Sequence, residues 1–327
     1  MRLAAFRYLS DAAGVRRAGM VIGSGAQLRI HPFPDDTDLL SLLAASPADR
    51  EVAADLAGAG DGRALTEVQM LPPVYPVAMR DFVTFESHVE GVSRALQGES
   101  EVPPEWYEAP SFLFMAPHAV HGAFDDVSMP PDTERLDFEL ELAVVVSRDL
   151  RNADVHTAAE AIGGYCVMND WTARDVQGRE MRLGLGPSKG KDFATTIGPW
   201  VITPEELADY VQPDGRLDVE MTVSVNGVEV GRDRSGNMGW SFAEMLSYAS
   251  RASWVKAGEV VASGTCGGGA LAESWGRNGA LVPPPLRIGD VVSMSIQGIG
   301  GIRNRVVAGV ETVPPVPRAR RRVPEDA

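Results

Sequence analysis

Residues 137–146, "DFELELAVVV", alternate carboxylates with large apolar side chains and then become wholly apolar. Alternate side chains of an extended chain lie on the same face, so the pattern predicts a strand with Asp137, Glu139 and Glu141 on one face. That face continues with Ala143, which predicts that the acids stop where the face becomes buried. The stretch therefore indicates a strand-rich fold with acidic side chains at the edge of its hydrophobic core.

These carboxylates have two interpretations. A solvated acidic face is the simpler one, and it would be favoured for an isolated strand. Carboxylates at the lip of a core are costly unless they are protonated, paired or bound to a cation. Oxygen ligands, in a sequence without HExxH or CxxC, favour Mg²⁺, Mn²⁺ or Ca²⁺ over zinc. Asp81 and Asp170 are further candidate ligands, although either aspartate alone is more typical of a cap or turn.

Charge and cysteine content restrict the partners and the compartment. The 327 residues include 45 acidic and 30 basic side chains, a formal charge of -15 that would repel nucleic acid and anionic membranes. The two cysteines, Cys166 and Cys266, are far apart in the sequence and suggest no disulfide framework. We therefore expect a cytoplasmic protein that binds neither nucleic acid nor a membrane.

Proline and charge patterns divide the chain into three parts. Residues 1–70 mix alternating stretches with a short helical pattern, which predicts a small α+β module. The stretch "PPVYP" then predicts a boundary, since prolines neither continue a helix nor sit in a central strand. Residues 71–313 are rich in alternating and β-branched runs, and we predict a larger mixed α/β, β-rich domain. Residues 314–327 resemble a disordered tail.

Local signals predict several elements of the larger domain. Asn226-Gly227 between two alternating runs predicts a hairpin. Helical patterns cover residues 82–98, 155–163 and 241–252. If the first of these helices included Asp81, His88 would lie two turns further along nearly the same face.

Five blocks of the sequence together resemble the fumarylacetoacetate hydrolase family, over residues 70 to 310. They are "DFVTFESH", "LDFELELAVV", "MNDWTARDVQ", "GKDFATTIGPWV" and "GDVVSMSIQGIGGIRNRV". The resemblance implies a β-roll or sandwich catalytic domain with short helices behind a small N-terminal module. It also implies a homodimer and a bound divalent metal, commonly Mg²⁺.

The resemblance also implies residue roles. Asp81, Glu139, Glu141 and Asp170 correspond to the metal ligands, with Asp81 binding directly or through water. His88 corresponds to the histidine that activates water. The remaining positions correspond to residues that contact the substrate or lie beside the metal: Arg174, Gln177, Lys191, Thr195 and Thr265.

The sequence offers several carboxylates as the partner of His88. Family members pair this histidine with a glutamate, either three residues later, where this chain has Gly91, or in a loop that corresponds to "CGGGALAESWG". Glu273 lies in that loop but does not align in register. Glu86 and Glu90 are then the nearest carboxylates in sequence, and we expect a mobile lid around the histidine.

Three functions are compatible with this pattern. The first is a metal-dependent hydrolase that cleaves a carbon–carbon bond in a β-diketone or acylpyruvate-like acid. The second is a decarboxylase, isomerase or hydratase that acts on a 2-oxo acid through the same metal enolate. The third, a metal-binding scaffold without turnover, is disfavoured because it needs no histidine beside the metal.

Overall fold

The computed structural model describes residues 1–97, 101–131, 133–309 and 313–320. The strands of this part of the chain are, in order, β1 (Arg2–Tyr8), β2 (Arg17–Ile22), β3 (Arg29–Pro32), β4 (Arg63–Ala64), β5 (Val68–Leu71), β6 (Met79–Phe82), β7 (Phe112–Met115), β8 (Val120–His121), β9 (Val127–Ser128), β10 (Leu136–Asp137), β11 (Leu140–Val146), β12 (Ile162–Asp170), β13 (Thr172–Ala173), β14 (Thr195–Ile202), β15 (Glu220–Val225), β16 (Val228–Arg234), β17 (Val260–Ala262), β18 (Val291–Ile296) and β19 (Gly300–Val307). The α-helices are α1 (Leu39–Ala44), α2 (Pro47–Gly58), α3 (Glu86–Gln97), α4 (Val155–Ala159), α5 (Arg174–Met181), α6 (Phe242–Ala249) and α7 (Leu271–Asn278).

The strands form one large sheet, one smaller sheet and a short ribbon. The large sheet runs β4-β3-β2-β1-β14-β12-β11-β17-β6-β7, with β5 paired to β1 and β8 paired to β14. The smaller sheet runs β16-β15-β18-β19-β9, and β10 forms the short ribbon with β13. The fold is therefore mixed α/β and strand-rich, as the sequence predicted.

The centre of the large sheet is buried on both faces. In β11, Leu142 and Val144 belong to one apolar cluster, whereas Ala143 and Val145 belong to the other. Burial on both faces explains the continuous apolar run at the end of "DFELELAVVV".

The predicted strand over residues 136–146 is interrupted. Phe138 and Glu139 lie between β10 and β11 and belong to neither strand. Asp137 pairs with Thr172 in the short ribbon, whereas Glu141 lies in the central sheet opposite Met168. The three carboxylates therefore do not share one strand face, and the alternation argument was wrong for Asp137.

The N-terminal residues join the large sheet directly. Leu3 of β1 pairs with Val201 of β14, and both side chains lie in the same buried cluster. The boundary near residue 70 remains a prediction, and the two predicted units share one sheet.

Other local predictions had mixed outcomes. The hairpin is present between β15 and β16, and Asn226 and Gly227 both have positive φ. The helix expected from residue 82 begins at Glu86, because residues 79–82 form β6, and its expected stop at Gly98 lies outside the described residues. Residues 313–320 contain no helix or strand, and residues 321–327 of the predicted tail are also outside the described part.

Candidate metal centre and catalytic histidine

Four carboxylates meet at one edge of the central sheet. Because β11 and β12 are antiparallel, the start of β11 and the end of β12 lie at the same edge, and β6 ends there too. The cluster consists of Asp81, Glu139, Glu141 and Asp170, each at most 6% exposed, with one oxygen from each within 4.8 Å of the others. The structure thus brings together all four side chains that the sequence suggested as metal ligands.

Backbone contacts fix Glu139 at this edge although it lies outside the strands. Its N–H donates to Asn169 Oδ1 at 3.0 Å, and its carbonyl accepts from the Asp170 N–H at 3.1 Å. These bonds tie the break between β10 and β11 to the end of β12.

Three oxygens of the cluster have no hydrogen-bond partner among the described residues. They are Asp81 Oδ1, Glu141 Oε2 and Asp170 Oδ1, and all three are buried. An unpartnered buried carboxylate oxygen is costly, since burial removes its water without replacing it. Hard, negatively charged oxygens left free in this way fit a divalent cation such as Mg²⁺.

Two buried cations accompany the cluster. Lys191 Nζ donates to Glu139 and Asp170, and it lies 3.1 Å from Thr172 Oγ1. Arg174 Nη2 lies 2.7 Å from Glu139 Oε1. Both cations contact Glu139, so the positive charge is greatest beside this carboxylate.

This uneven charge distribution separates the pKa values of the acids. Burial raises the pKa of Asp81 to about 6 and raises the pKa of Glu141 and Asp170 well above their usual values, with neighbouring carboxylates adding to the effect on Glu141. Burial also opposes ionisation of Glu139, but Lys191 and Arg174 lower its pKa below the usual value. Ionising all four acids together therefore requires positive charge beyond these two side chains.

His88 lies beside the cluster and is held by a partner from a distant part of the chain. Its Nδ1 is 2.9 Å from Glu273 Oε1, and its Nε2 is 3.9 Å from Glu139 Oε1. The other oxygen of Glu273 accepts the Gly268 N–H at 2.7 Å. The imidazole is therefore oriented on one side, and its second nitrogen faces the carboxylates.

The expectation that Glu86 or Glu90 orients His88 was wrong. Glu86 accepts instead from the Tyr107 hydroxyl, and the histidine is paired with Glu273. The expectation of a mobile lid rested on the lack of a partner, and that reason no longer holds.

A glycine in α3, Gly91, makes room for the pairing of His88 with Glu273. A Cβ added at Gly91 would lie 2.8 Å from Glu273 Cγ, so α3 approaches α7 closely only because residue 91 is glycine.

Asp81 and His88 do not lie on one helix. The expected spacing of two helical turns between them was wrong, because Asp81 lies in β6 and His88 in α3.

The remaining predicted residues surround the same site. Thr265 Oγ1 donates to Glu141 Oε1 at 3.4 Å, and Gln177 Oε1 accepts from Arg174 Nη1 at 3.2 Å. Thr195 begins β14 directly opposite Asp170. Sequence reasoning missed the pairing of Glu273, for which the glycine at position 91 was the available signal.

Known proteins resemble this chain in sequence and in fold. The family model for the C-terminal domain of fumarylacetoacetate hydrolase matches residues 78–307. The chain belongs to the fumarylacetoacetate hydrolase family. An uncharacterised protein from Archaeoglobus fulgidus is 32% identical over 247 residues, covering 74% of this chain and 84% of that relative.

Solved structures share the fold over nearly the whole chain. A maleylpyruvate hydrolase from Sphingobium sp. SYK-6, in complex with manganese(II) and pyruvate, has a TM-score of 0.68 at 20% identity and covers 94% of this chain and 100% of its own. A 5-carboxymethyl-2-hydroxymuconate delta-isomerase from Mycobacterium smegmatis has a TM-score of 0.68 at 22% identity, with the same coverage. The fold of this chain is thus shared by one protein described as a hydrolase and by one described as an isomerase.

Proposed function

We propose that this chain is a divalent-cation-dependent hydrolase that cleaves a carbon–carbon bond in a β-diketone or acylpyruvate-like acid. The observation that carries the proposal is the group of three unpartnered carboxylate oxygens beside an imidazole held by a buried glutamate. Mg²⁺ is the proposed ion, with Mn²⁺ or Ca²⁺ as alternatives. The ion would be held by Asp81, Glu139, Glu141 and Asp170 and would supply Lewis-acid polarisation of a chelating dicarbonyl.

His88 is the proposed general base. With Nδ1 donating to Glu273, a neutral imidazole carries its free lone pair on Nε2, the nitrogen nearer the carboxylates. Nε2 takes a proton from water as the water oxygen adds to the substrate carbonyl. Glu273 holds the ring in the required tautomer and stabilises the imidazolium that forms.

Cleavage follows from the tetrahedral adduct. The bond between the former carbonyl carbon and its neighbouring methylene carbon breaks, and its electron pair becomes the enolate of the departing 2-oxo acid. The enolate carbon takes the proton held by His88, so the products are a carboxylic acid and a 2-oxo acid. Lys191, Arg174 and Gln177 are proposed to contact the substrate and to balance the oxyanion charge.

The alternative function is decarboxylation, isomerisation or hydration of a 2-oxo acid at the same site. It is supported by the fold shared with a protein described as an isomerase, at the same TM-score as the hydrolase. A scaffold without turnover is less well supported, since the buried pair of His88 and Glu273 has no evident use in it.

Isotope labelling separates these reactions. The protein is loaded with Mg²⁺ and incubated with a panel of acylpyruvates in water enriched in oxygen-18. Hydrolysis predicts two shorter acids, with the label in the new carboxylate of the acyl fragment, and much slower formation of both with His88→Gln. A product that keeps the carbon skeleton of the substrate, or release of carbon dioxide, would overturn the proposed hydrolysis in favour of the alternative.

The assembly and compartment are part of the proposal. We propose a cytoplasmic homodimer that acts on small molecules, on the strength of the family resemblance and the formal charge of -15. None of the helices in the described residues is both long and apolar enough to cross a membrane. Light scattering of the purified protein tests the dimer through its mass.

A further inference from the structure

Asp137, the first carboxylate of "DFELELAVVV", is not one of the four clustered carboxylates. It is nevertheless fully buried, and both of its oxygens accept hydrogen bonds. Asp137 Oδ1 accepts the N–H groups of Phe138 at 2.8 Å and Leu271 at 2.9 Å. Its Oδ2 accepts the Ala272 N–H at 3.0 Å and Arg174 Nε at 2.9 Å. The carboxylate therefore joins the metal-binding segment, the start of α7 and a buried arginine.

This arrangement differs from the way the chain caps other helices. The side chains of Asp38, Ser46, Asp154 and Ser241 each accept a backbone N–H from the helix that directly follows. The residue before α7 is Ala270, which has no capping side chain. A local Ser or Asp would satisfy the same donors, whereas Asp137 also fixes the helix relative to Glu139, two residues further along the chain.

The helix fixed in this way carries the partner of the proposed base. Glu273 is the third residue of α7, directly after the two residues whose N–H groups Asp137 accepts. Helix α3 packs closely against α7 at Gly91, next to Glu273. A shift of α7 would therefore move Glu273 relative to α3, which carries His88.

We propose that Asp137 is a positioning residue that acts through α7: by capping this helix it holds Glu273 against His88. The proposal rests on the proposed function, in which His88 is the base. Asp137 itself touches neither the proposed substrate nor the cation, and its effect reaches the imidazole through Leu271, Ala272 and Glu273.

Proton NMR tests the positioning without any need for turnover. The wild-type protein should show a slowly exchanging Nδ1–H resonance of His88, identified by its loss in His88→Gln. The resonance should be lost or strongly broadened in Asp137→Asn and in Glu273→Gln. It should persist in Ser241→Ala, which removes the cap of α6, another eight-residue helix. An unchanged resonance in Asp137→Asn would overturn the proposal, as would equal loss in Ser241→Ala.

A pair of substitutions at Leu271 tests the route and covers the case in which Asp137→Asn does not fold. Proline is well tolerated at the first helical position, and the preceding Ala270 is already extended, with φ -140 and ψ 149. Leu271→Pro and Leu271→Ala both lose the leucine side chain, but only proline loses the N–H that Asp137 accepts. We expect the imidazole resonance to persist in Leu271→Ala and to weaken in Leu271→Pro. Identical spectra would overturn the route through α7.

Kinetics of the metal-loaded protein complete the test. Asp137→Asn should lower kcat about ten- to hundredfold, part of the roughly 10²–10⁴-fold that proton transfer contributes, with little change in KM. In a Glu273→Gln background the same substitution should have almost no further effect, because the two residues act as a unit. Independent effects of the two substitutions would overturn the proposal. If no acylpyruvate is turned over, the proposed function fails while the NMR result still decides the positioning.

Discussion

At the residue scale, the four clustered carboxylates differ in what surrounds them. Glu139 contacts Lys191 and Arg174, whereas Glu141 accepts from the Thr265 hydroxyl and lies among the other acids. Sequence reasoning found the ligand candidates from the carboxylate pattern and from the resemblance of their blocks to a known family. It could not rank them, because their pKa values depend on buried cations brought from elsewhere in the chain.

The raised pKa of Asp81 predicts a pH-dependent stability of the metal-free protein. Burial raises this pKa from 3.8 to about 6. Between these two pH values, the Asp81 carboxyl is protonated in the folded state and ionised in the unfolded state. The stabilisation is complete below about pH 4 and is lost as the pH rises through about 6, on the order of 3 kcal/mol in all. Thermal unfolding with a chelator should show wild type losing stability relative to Asp81→Asn over this window. Parallel curves for the two proteins would contradict the assignment.

The proposed role of His88 predicts that binding and turnover separate. His88→Gln should keep the affinity for Mg²⁺ and lose about 10²–10⁴-fold in kcat, because the imidazole moves protons and does not coordinate the ion. His156→Gln is the control, since that side chain is 88% exposed on α4. Loss of metal affinity in the His88 variant would reassign the histidine as a ligand.

At the scale of elements, the site depends on the contact between α3 and α7. The sequence predicted a helix around His88 from its pattern, but the partner lies 185 residues away. No local periodicity reports such a contact. The start of α7 was also hidden, because its cap comes from Asp137 and not from a residue of its own loop.

The close approach of these helices makes residue 91 sensitive to size. Gly91→Ala should destabilise the protein and reduce turnover, because the added Cβ would lie 2.8 Å from Glu273 Cγ. Gly178→Ala in α5 is the matched control, since nothing lies within 4 Å of its added Cβ. There we expect the usual gain of about 0.5–1 kcal/mol for alanine in a helix. Thermal unfolding measures both, and equal stabilisation by the two alanines would contradict the packing argument.

At the scale of the whole molecule, the strands of the predicted N-terminal module and those of the predicted catalytic domain share one sheet. Proline-rich residues after β5 indicated a boundary, and composition alone did not reveal that β1 would pair with β14. Strand pairing over some 200 residues depends on tertiary packing, which single-sequence patterns do not encode.

The shared sheet predicts that a destabilising substitution in the N-terminal strand also lowers the stability of the chain beyond residue 70. Leu3→Ala removes a fully buried side chain and should lower the free energy of unfolding by about 2–5 kcal/mol. All six tryptophans lie beyond residue 70, so their fluorescence follows the unfolding of the larger unit, although Trp200 also contacts Arg2 of β1. Its denaturant midpoint should fall in Leu3→Ala and stay constant in Leu9→Ala, where the leucine is 70% exposed. An unshifted fluorescence transition would show that the two units unfold separately.

The central claim is that the buried carboxylate cluster holds a divalent cation, and calorimetric titration of the chelator-stripped protein with Mg²⁺ or Mn²⁺ tests it most directly. We predict one site per chain, weakened at least about tenfold in Glu141→Gln, which removes one anionic oxygen ligand. Glu259→Gln is the control, because that buried carboxylate pairs with Arg80 outside the cluster. Binding that is absent in wild type, or unchanged in Glu141→Gln, would contradict the claim.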